Sequence, residues 1–158
     1  MAWTTPRTWT TGETVTAVIM NAHVRDNLNA IGSAWTSWTP VVTGWTPGNG
    51  VAVGTYMQAG KLVAFRARFT LGSTTTIAGA FTMTYPVAVN AGFVGLLHTA
   101  YGNPAGASYN LVARMNSATT FQVFYHGTNG LFANPTSTLP AVWASTNFID
   151  VFGVYEAA

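Results

Sequence analysis

The acidic residues of this chain are few, and their spacing limits the catalysis that they can support. There are four of them: Glu13, Asp26, Asp150 and Glu156. Asp150 and Glu156 lie on one face of a predicted strand but six residues apart, which is about 20 Å at the rise of a strand. Paired-carboxylate glycosidases hold the two groups about 5–10 Å apart. We therefore expect no glycosidase site within one subunit. The distance argument does not apply to a site shared between subunits. Asp150 is instead expected to pair with an arginine, the candidates being Arg66, Arg68 and Arg114.

The three histidines, His23, His98 and His126, do not show the spacing of a metal site. The chain has no cysteine, and no carboxylate lies at ligand spacing from a histidine. The order of the predicted strands allows His98 and His126 to meet across a sheet, whereas His23 is expected to make a structural polar contact. No glycine-rich phosphate loop opens a helix, and no serine lies in a nucleophile elbow. We therefore expect no metal, no cofactor and no enzymatic activity.

The scarcity of charge indicates a protein that assembles with copies of itself or with a larger particle. Charged residues make up 6% of the chain, against about 25% in ordinary globular proteins. The net charge is +2 and the basic residues are scattered, which argues against nucleic-acid binding. We also expect no secretory signal and no membrane insertion, because the longest apolar segment (86–97) is interrupted by Asn90, Gly92 and Gly95. The protein is expected to be made in the cytoplasm.

An N-terminal unit of residues 1–38 is predicted to hold an extended arm followed by one short α-helix. Thr16 is a suitable N-cap, and Gly32 is a suitable residue just past the C-terminus of the helix, which leaves Trp35 in the linker. Apolar residues recur at spacings of three or four along this segment: Ala17, Met20, Val24, Leu28 and Ile31. Such a stripe needs a partner, because a helix of about four turns is marginal alone in water. The partner is either the β domain or the same helix of other subunits.

Residues 39–158 are predicted to form an antiparallel β-sandwich of the jelly-roll kind, so that the fold class is mainly β. Alternating runs separated by Gly and Pro clusters indicate seven or eight short strands. The first two form a hairpin around Ala59-Gly60, and segment 33–50 is predicted to be a turn-rich linker. The predicted strands are Val51–Gln58, Lys61–Leu71, Phe81–Val89, Phe93–Tyr101, Tyr109–Asn116, Thr119–His126 and Phe148–Glu156.

Five of the six tryptophans lie before residue 46, and each of the five is followed by threonine. They are Trp3, Trp9, Trp35, Trp38 and Trp45. An arm and a linker have little interior of their own, so these rings are expected to anchor the segment to other chains, since tryptophan is common at interface hot spots. The alternative is that they hold the arm against the β domain.

The segment TWTTGETVTAVIMNAHVRDNLNAIG (8–32) resembles the N-terminal part of structural proteins from tailed-bacteriophage virions. The motif elements are a Trp, Gly-Glu, Val-Thr-Ala, Met-Asn and then His-Val-Arg-Asp-Asn. The following TGWTPGNGVAVGTYMQAGKLVAFRARFTLGSTTT (43–76) is similar to the β domain that often accompanies this segment. The resemblance covers residues 9 to about 76, and the remainder of the chain is identified only as rich in strands.

The resemblance implies a virion component, a homotrimer whose N-terminal segment docks on the particle while the β domain projects. Such proteins are minor tail or fibre proteins or capsid decoration proteins, and both locations remain open. The implied partners are the chain itself and other virion proteins of the tail or capsid. The docking residues implied by the resemblance, together with Leu28 of the apolar stripe, are Trp9, Gly12, Glu13, Met20, Asn21, His23, Arg25, Asp26, Asn27 and Leu28.

The alternative function is a carbohydrate-binding adhesin whose β domain stacks exposed aromatic rings on a host surface glycan. The residues expected to face such a ligand lie in predicted loops and strand ends: Tyr101, Asn103, Tyr109, His126 and Asn129. Aromatic residues in β proteins are more often part of the core. Glycan binding by the β domain would separate the adhesin from a purely structural protein.

Overall fold

The computed structural model describes residues 3–93 and 97–158 and has a mainly antiparallel β fold with one 16-residue helix. The expected fold class, a β-sandwich or jelly roll preceded by an arm and a short helix, is confirmed. The described residues form ten strands: β1 (Thr36–Trp38), β2 (Val42–Thr46), β3 (Val51–Ala59), β4 (Leu62–Thr70), β5 (Thr76–Thr84), β6 (Leu97–Gly102), β7 (Tyr109–Met115), β8 (Thr120–His126), β9 (Phe132–Ala133) and β10 (Phe148–Glu156).

The strands form one curled sheet in which neighbouring strands are antiparallel. Nine of them follow the order β1-β3-β4-β10-β6-β7-β8-β5-β2, and β9 pairs with β8. The two edges of the sheet, β1 and β2, are consecutive in the chain and joined by residues 39–41 only. The sheet therefore curls until its edges approach each other, with the core on its concave side. We call the opposite, solvent-facing side of β1, β3, β4, β10, β6 and β7 the outer face.

The core consists of the inward residues of these strands, as period-two alternation predicts. In β4, Val63, Phe65, Ala67 and Phe69 are all buried while the residues between them are not. Phe65 is at the centre of an aromatic cluster, and the rings that it contacts edge-on or tilted belong to Trp38, Tyr85, His98, Phe121 and Tyr155. Such ring pairs add to the free energy of area burial by about 0.5–1.5 kcal/mol each.

The helix begins and ends close to the predicted residues. It runs as α1 (Ala17–Met20), a π-helical segment (Asn21–Arg25) and α2 (Asp26–Gly32). The Thr16 hydroxyl accepts a hydrogen bond from the Ile19 backbone N–H at 3.4 Å, which confirms the predicted N-cap. The chain turns to an extended conformation at Ser33, so Trp35 lies outside the helix as predicted.

Segment 33–50 differs from its prediction as a linker, because it contains β1 and β2. Trp45 of β2 is 2% exposed, and Trp38 of β1 packs against the core. The interpretation of these two tryptophans as anchors for other chains is therefore wrong. Their rings fill core space that small residues leave open: the Trp38 ring lies where a side chain at Gly54 would be. The predicted division at residue 38 coincides with the end of β1, which already belongs to the sheet.

The ends of two predicted strands also differ. The strand predicted at Phe81–Val89 is β5, Thr76–Thr84, and it ends before Pro86, which has no N–H for a ladder. The strand predicted at Phe93–Tyr101 is wrong at its start, because Phe93 ends a 3-10 turn (Ala91–Phe93). Residues 94–96 lie outside the described residues, and β6 continues to Gly102.

Candidate functional site

The arm that precedes the helix is closed into a turn by Glu13. Gly12 has a φ of +81°, a conformation that favours glycine, and the Glu13 N–H donates to the Thr10 carbonyl oxygen at 3.1 Å. The Glu13 carboxylate accepts a hydrogen bond from the Thr10 N–H at 3.3 Å and forms an ion pair with Arg7. The Arg7 guanidinium in turn lies over the Trp9 ring at 5.0 Å. Gly12 and Glu13 therefore shape the arm, while Trp9 remains 42% exposed.

Asn27 and His23 fasten the arm to the helix. The Asn27 side-chain amide donates to the Thr4 carbonyl at 2.8 Å, and its oxygen accepts from the Thr4 N–H at 2.9 Å. The Asn27 amide thus pairs with the arm backbone in the way that a neighbouring strand would, and the side chain is buried at 5% exposure. The His23 Nδ1 lies 3.2 Å from the Thr5 carbonyl and donates to it when Nδ1 carries the proton. The side of the helix that carries His23 and Asn27 therefore faces the arm.

The apolar stripe faces solvent within the single chain. All its members are exposed: Ala17, Met20 at 43%, Val24 at 38%, Leu28 at 63% and Ile31 at 54%. The stripe does not pack on the β domain, which was the first of the two partners expected for it. Ala30 and Asn27 are the buried positions of α2 instead; Asn27 binds the arm, and α2 also lies next to β3.

The π-helical segment aligns the two halves of the stripe. In a regular α-helix, residues eight apart are rotated by about 80° around the axis. Met20 and Leu28 are eight apart, and the i→i+5 turns at Asn21–Arg25 accommodate one extra residue between them. The two side chains therefore lie nearly in line. Arg25 and Asp26 pair with each other at 2.8 Å on the same segment, and Asn21 is half-buried.

The residues predicted to face a ligand are divided between local structural roles. The Asn103 side chain accepts from the Phe148 N–H at 2.6 Å, and the Asn129 side chain accepts from the Leu131 N–H at 3.1 Å. Tyr109 is half-buried against the core. The exposed His126 ring packs on Phe132, with centroids 5.1 Å apart. The register of β6, β7 and β8 places all of these at one end of the sheet.

Tyr101 alone of that set borders a groove, which crosses the outer face of β1, β3, β4, β10 and β6. The groove has a volume of about 820 Å³, within the range of ordinary ligand sites. Sequence reasoning did not assign it, although the outward alternation of β4 and β10 places Arg66, Arg68, Asp150 and Phe152 on one surface. That alternation gives the face on which each side chain lies, whereas the strand register determines which of them are neighbours.

Asp150 pairs with Arg68, one of its three predicted partners. The Arg68 Nε and Nη2 atoms donate to the two carboxylate oxygens of Asp150, each at 2.6 Å, and the guanidinium lies 4.1 Å from the centroid of the Phe148 ring. The hydrogen bonds to Asp150 raise the pKa of Arg68 above its ordinary value, against the opposing effect of burial. Glu156 pairs with Lys61 at 3.7 Å on the same face.

His98 does not meet His126 but lies in the core, at 4% exposure. The Tyr85 hydroxyl is 2.8 Å from the His98 Nε2 and donates to it when Nε2 carries no proton. Burial lowers the pKa of His98 to about 4, and burial, with the nearby Tyr155, raises the pKa of Tyr85. The Tyr155 hydroxyl donates to the Val87 carbonyl at 2.7 Å. Each of these three buried side chains therefore has a hydrogen-bond partner while His98 is neutral.

Across residues 3–93 and 97–158, no three His, Cys, Asp or Glu side chains lie close enough together to hold a metal ion. No helix within these ranges is both long and apolar enough to cross a membrane. The chain matches no protein-family model, no curated protein and no solved structure. Its function is therefore proposed from the geometry of its own residues and from the N-terminal resemblance.

Proposed function

We propose that this chain is a structural protein of a tailed-bacteriophage virion, a homotrimer whose N-terminal segment docks on the particle while the β domain projects. The protein acts by packing and carries out no reaction. The observation that carries the proposal is the apolar stripe of the helix, which is exposed in the single chain while Asn27 of the same helix is bound to the arm.

The stripe supports self-assembly because exposed apolar side chains that are contiguous on one helix mark an interaction surface. Residues 3–93 and 97–158 leave the stripe exposed, and the same helix of two other copies offers the same apolar surface. Burying one leucine side chain contributes about 2 kcal/mol, so the four aligned residues Met20, Val24, Leu28 and Ile31 supply a substantial association energy. A chain with so little charge also meets little repulsion between its copies.

The arm supports docking because it is ordered on the side of the helix next to the stripe. Its backbone is held by Asn27 and His23, and its turn by Glu13. Trp3 and Trp9 remain 39% and 42% exposed, and a half-exposed tryptophan on a rigid segment is a suitable hot-spot side chain. In this arrangement the stripe joins the three copies, and the arm presents its tryptophans to the tail or capsid.

Genetic complementation of the phage that carries this gene tests the proposal. Particles of a phage in which the gene is inactivated are purified after supply of the wild-type chain or a variant, and the copies of the chain per particle are counted by mass spectrometry. The variants are Leu28→Ser and Leu131→Ser. Leu131 is a matched control, since it is 66% exposed against 63% for Leu28 but lies in the β domain.

Wild type and Leu131→Ser are expected in purified particles, and Leu28→Ser is expected to be lost from them. Absence of the wild-type chain from particles would refute the virion assignment. Incorporation of Leu28→Ser at the wild-type level would refute the role of the stripe. Gold-labelled antibody against the β domain then separates a tail location from a capsid location.

A further inference from the structure

The charges of the chain are almost all paired, and the exceptions lie on the outer face. Each of the four carboxylates has its own cation: Glu13 binds Arg7, Asp26 binds Arg25, Asp150 binds Arg68, and Glu156 binds Lys61. The whole sequence has six cationic side chains and four acidic ones. The remaining two cations are Arg66 and Arg114, and the net charge of +2 therefore belongs to these two guanidinium groups on the outer face.

Arg66 lines the groove on the outer face and Arg114 does not. The groove runs across five strands, which corresponds to about 19 Å at the usual spacing between strands. Its floor is made by small or inward residues in register on successive strands, namely Gly54, Ala67, Val151 and Ala100. A row on each side forms the walls. One row is Val53, Arg68, Asp150 and Tyr101, and the other is Thr55, Arg66, Phe152 and Thr99.

The Arg66 guanidinium is held in place but is not neutralised. Its Nε donates to the Thr55 hydroxyl at 2.9 Å, and the group lies 5.5 Å from the centroid of the Trp35 ring. The two contacts fix one edge and one side of the guanidinium. Asp150 already binds Arg68 through both oxygens. The groove thus contains one positioned cation that a ligand carboxylate can bind with two hydrogen bonds.

The rest of the lining is suited to a ligand rich in hydroxyl groups. The groove is lined by five residues that carry hydroxyl groups, namely Ser37, Thr39, Thr55, Thr99 and Tyr101. The Thr55 hydroxyl also binds Arg66 and the Tyr101 hydroxyl also binds Ser108. Phe152 is 53% exposed and offers an aromatic face to the apolar side of a sugar ring. A nucleic acid fits less well, because one unpaired cation in the groove cannot neutralise a row of phosphates.

We infer that this groove is a binding site for an acidic saccharide, with Arg66 binding a sugar carboxylate and Phe152 stacking on a ring. The site is separate from the N-terminal unit and does not depend on the proposed virion function. It also lies on the sheet face rather than among the loop residues at the sheet end. Of the residues expected to face a glycan, Tyr101 belongs to it.

Calorimetric titration of the full chain tests this inference. The probes are tetragalacturonate, tetramannuronate and α2,8-linked tetrasialic acid, each compared with the same oligosaccharide after methyl esterification of its carboxylates. At least one acidic probe is expected to bind, and its ester is expected to bind about tenfold more weakly or worse, since a hydrogen bond to a charged group is lost.

Two arginine variants complete the test, with the binding probe as ligand. Arg66→Gln is expected to weaken binding about tenfold or more. Arg114→Gln removes the other guanidinium on the same face that has no carboxylate partner, and it is expected to leave binding unchanged. Phe152→Ala should weaken both the acid and its ester. Failure of all three acidic probes, equal binding of acid and ester, or an equal loss in both arginine variants would overturn the inference. Binding of a glutamate-rich peptide in place of every saccharide would overturn it too and indicate an acidic protein partner.

Discussion

Protonation of His98 is expected to make this protein unstable in mild acid. The His98 ring is 4% exposed, packs edge-on against Phe65, and has its Nε2 2.8 Å from the Tyr85 hydroxyl. Gly153 lies against the opposite side of the ring, where even an added Cβ would come within 2.3 Å of Nδ1. An imidazolium in this position cannot accept a hydrogen bond at Nε2, and burial disfavours its charge.

The size of the effect follows from the pKa of His98 in the two states. Burial lowers the pKa to about 4 in the folded protein, from an ordinary value of 6.5 in the unfolded chain. Between these two pH values the unfolded chain binds the extra proton, so the free energy of unfolding falls as the pH falls. The loss begins near pH 6.5, is complete near pH 4, and amounts to about 3 kcal/mol at about 1.4 kcal/mol per pH unit.

Urea unfolding at half-unit steps from pH 7.5 to pH 4 measures this slope. The wild type and His126→Gln, which changes an exposed histidine, are expected to lose the same free energy over the window. His98→Gln retains a hydrogen-bonding group beside Tyr85 and is expected to have a flatter profile, whatever its stability at pH 7.5. An NMR titration of wild-type His98 provides the second measurement. A midpoint near 6.5, or a slope that survives His98→Gln, would refute the reasoning.

Two further substitutions test the arm and the core. Asn27→Ala removes the side chain that pairs with both backbone groups of Thr4, so it should lower the free energy of unfolding by about 1–3 kcal/mol. The arm of this variant should also be cleaved faster in limited proteolysis. The control is Asn29→Ala, which changes an exposed residue and should be cleaved no faster than the wild type. Phe65→Ala removes a ring that is 0% exposed and should lower the free energy of unfolding by about 3–5 kcal/mol. Phe132→Ala removes a ring that is 41% exposed and should lower it far less. Equal losses of the two variants in thermal unfolding would contradict this assignment of the core.

The parts of the fold that depend on local periodicity could be predicted from the sequence. Alternation located β4 and β10 closely, since one side of each strand is buried and the other is not. Thr16 and Gly32 located the ends of the helix because capping is a local interaction. The pairing of Asp150 with an arginine was also predictable, because the chain has few cations and an acid among aromatic residues needs one.

The parts of the fold that depend on tertiary packing could not be predicted from the sequence. Trp45 lies in a segment full of turn residues, and its burial depends on Phe81 and Trp143, which are distant in sequence and contact its ring. The stripe of the helix was identified, but the side that faces the protein is determined by Asn27 binding the arm, which no periodicity reveals. The groove needs residues from five strands in register, and register follows from the whole sheet.

The solution mass of the chain, measured by light scattering on the wild type, Leu28→Ser and Leu131→Ser, tests the central claim most directly. A trimer with a mass three times the 16.7 kDa of the chain is expected for the wild type and for Leu131→Ser. Loss of three buried leucines costs about 6 kcal/mol, or about four orders of magnitude in association, so Leu28→Ser is expected at the mass of a single chain. A monomeric wild type, or a trimer that persists unchanged in Leu28→Ser, would contradict assembly through the helix stripe.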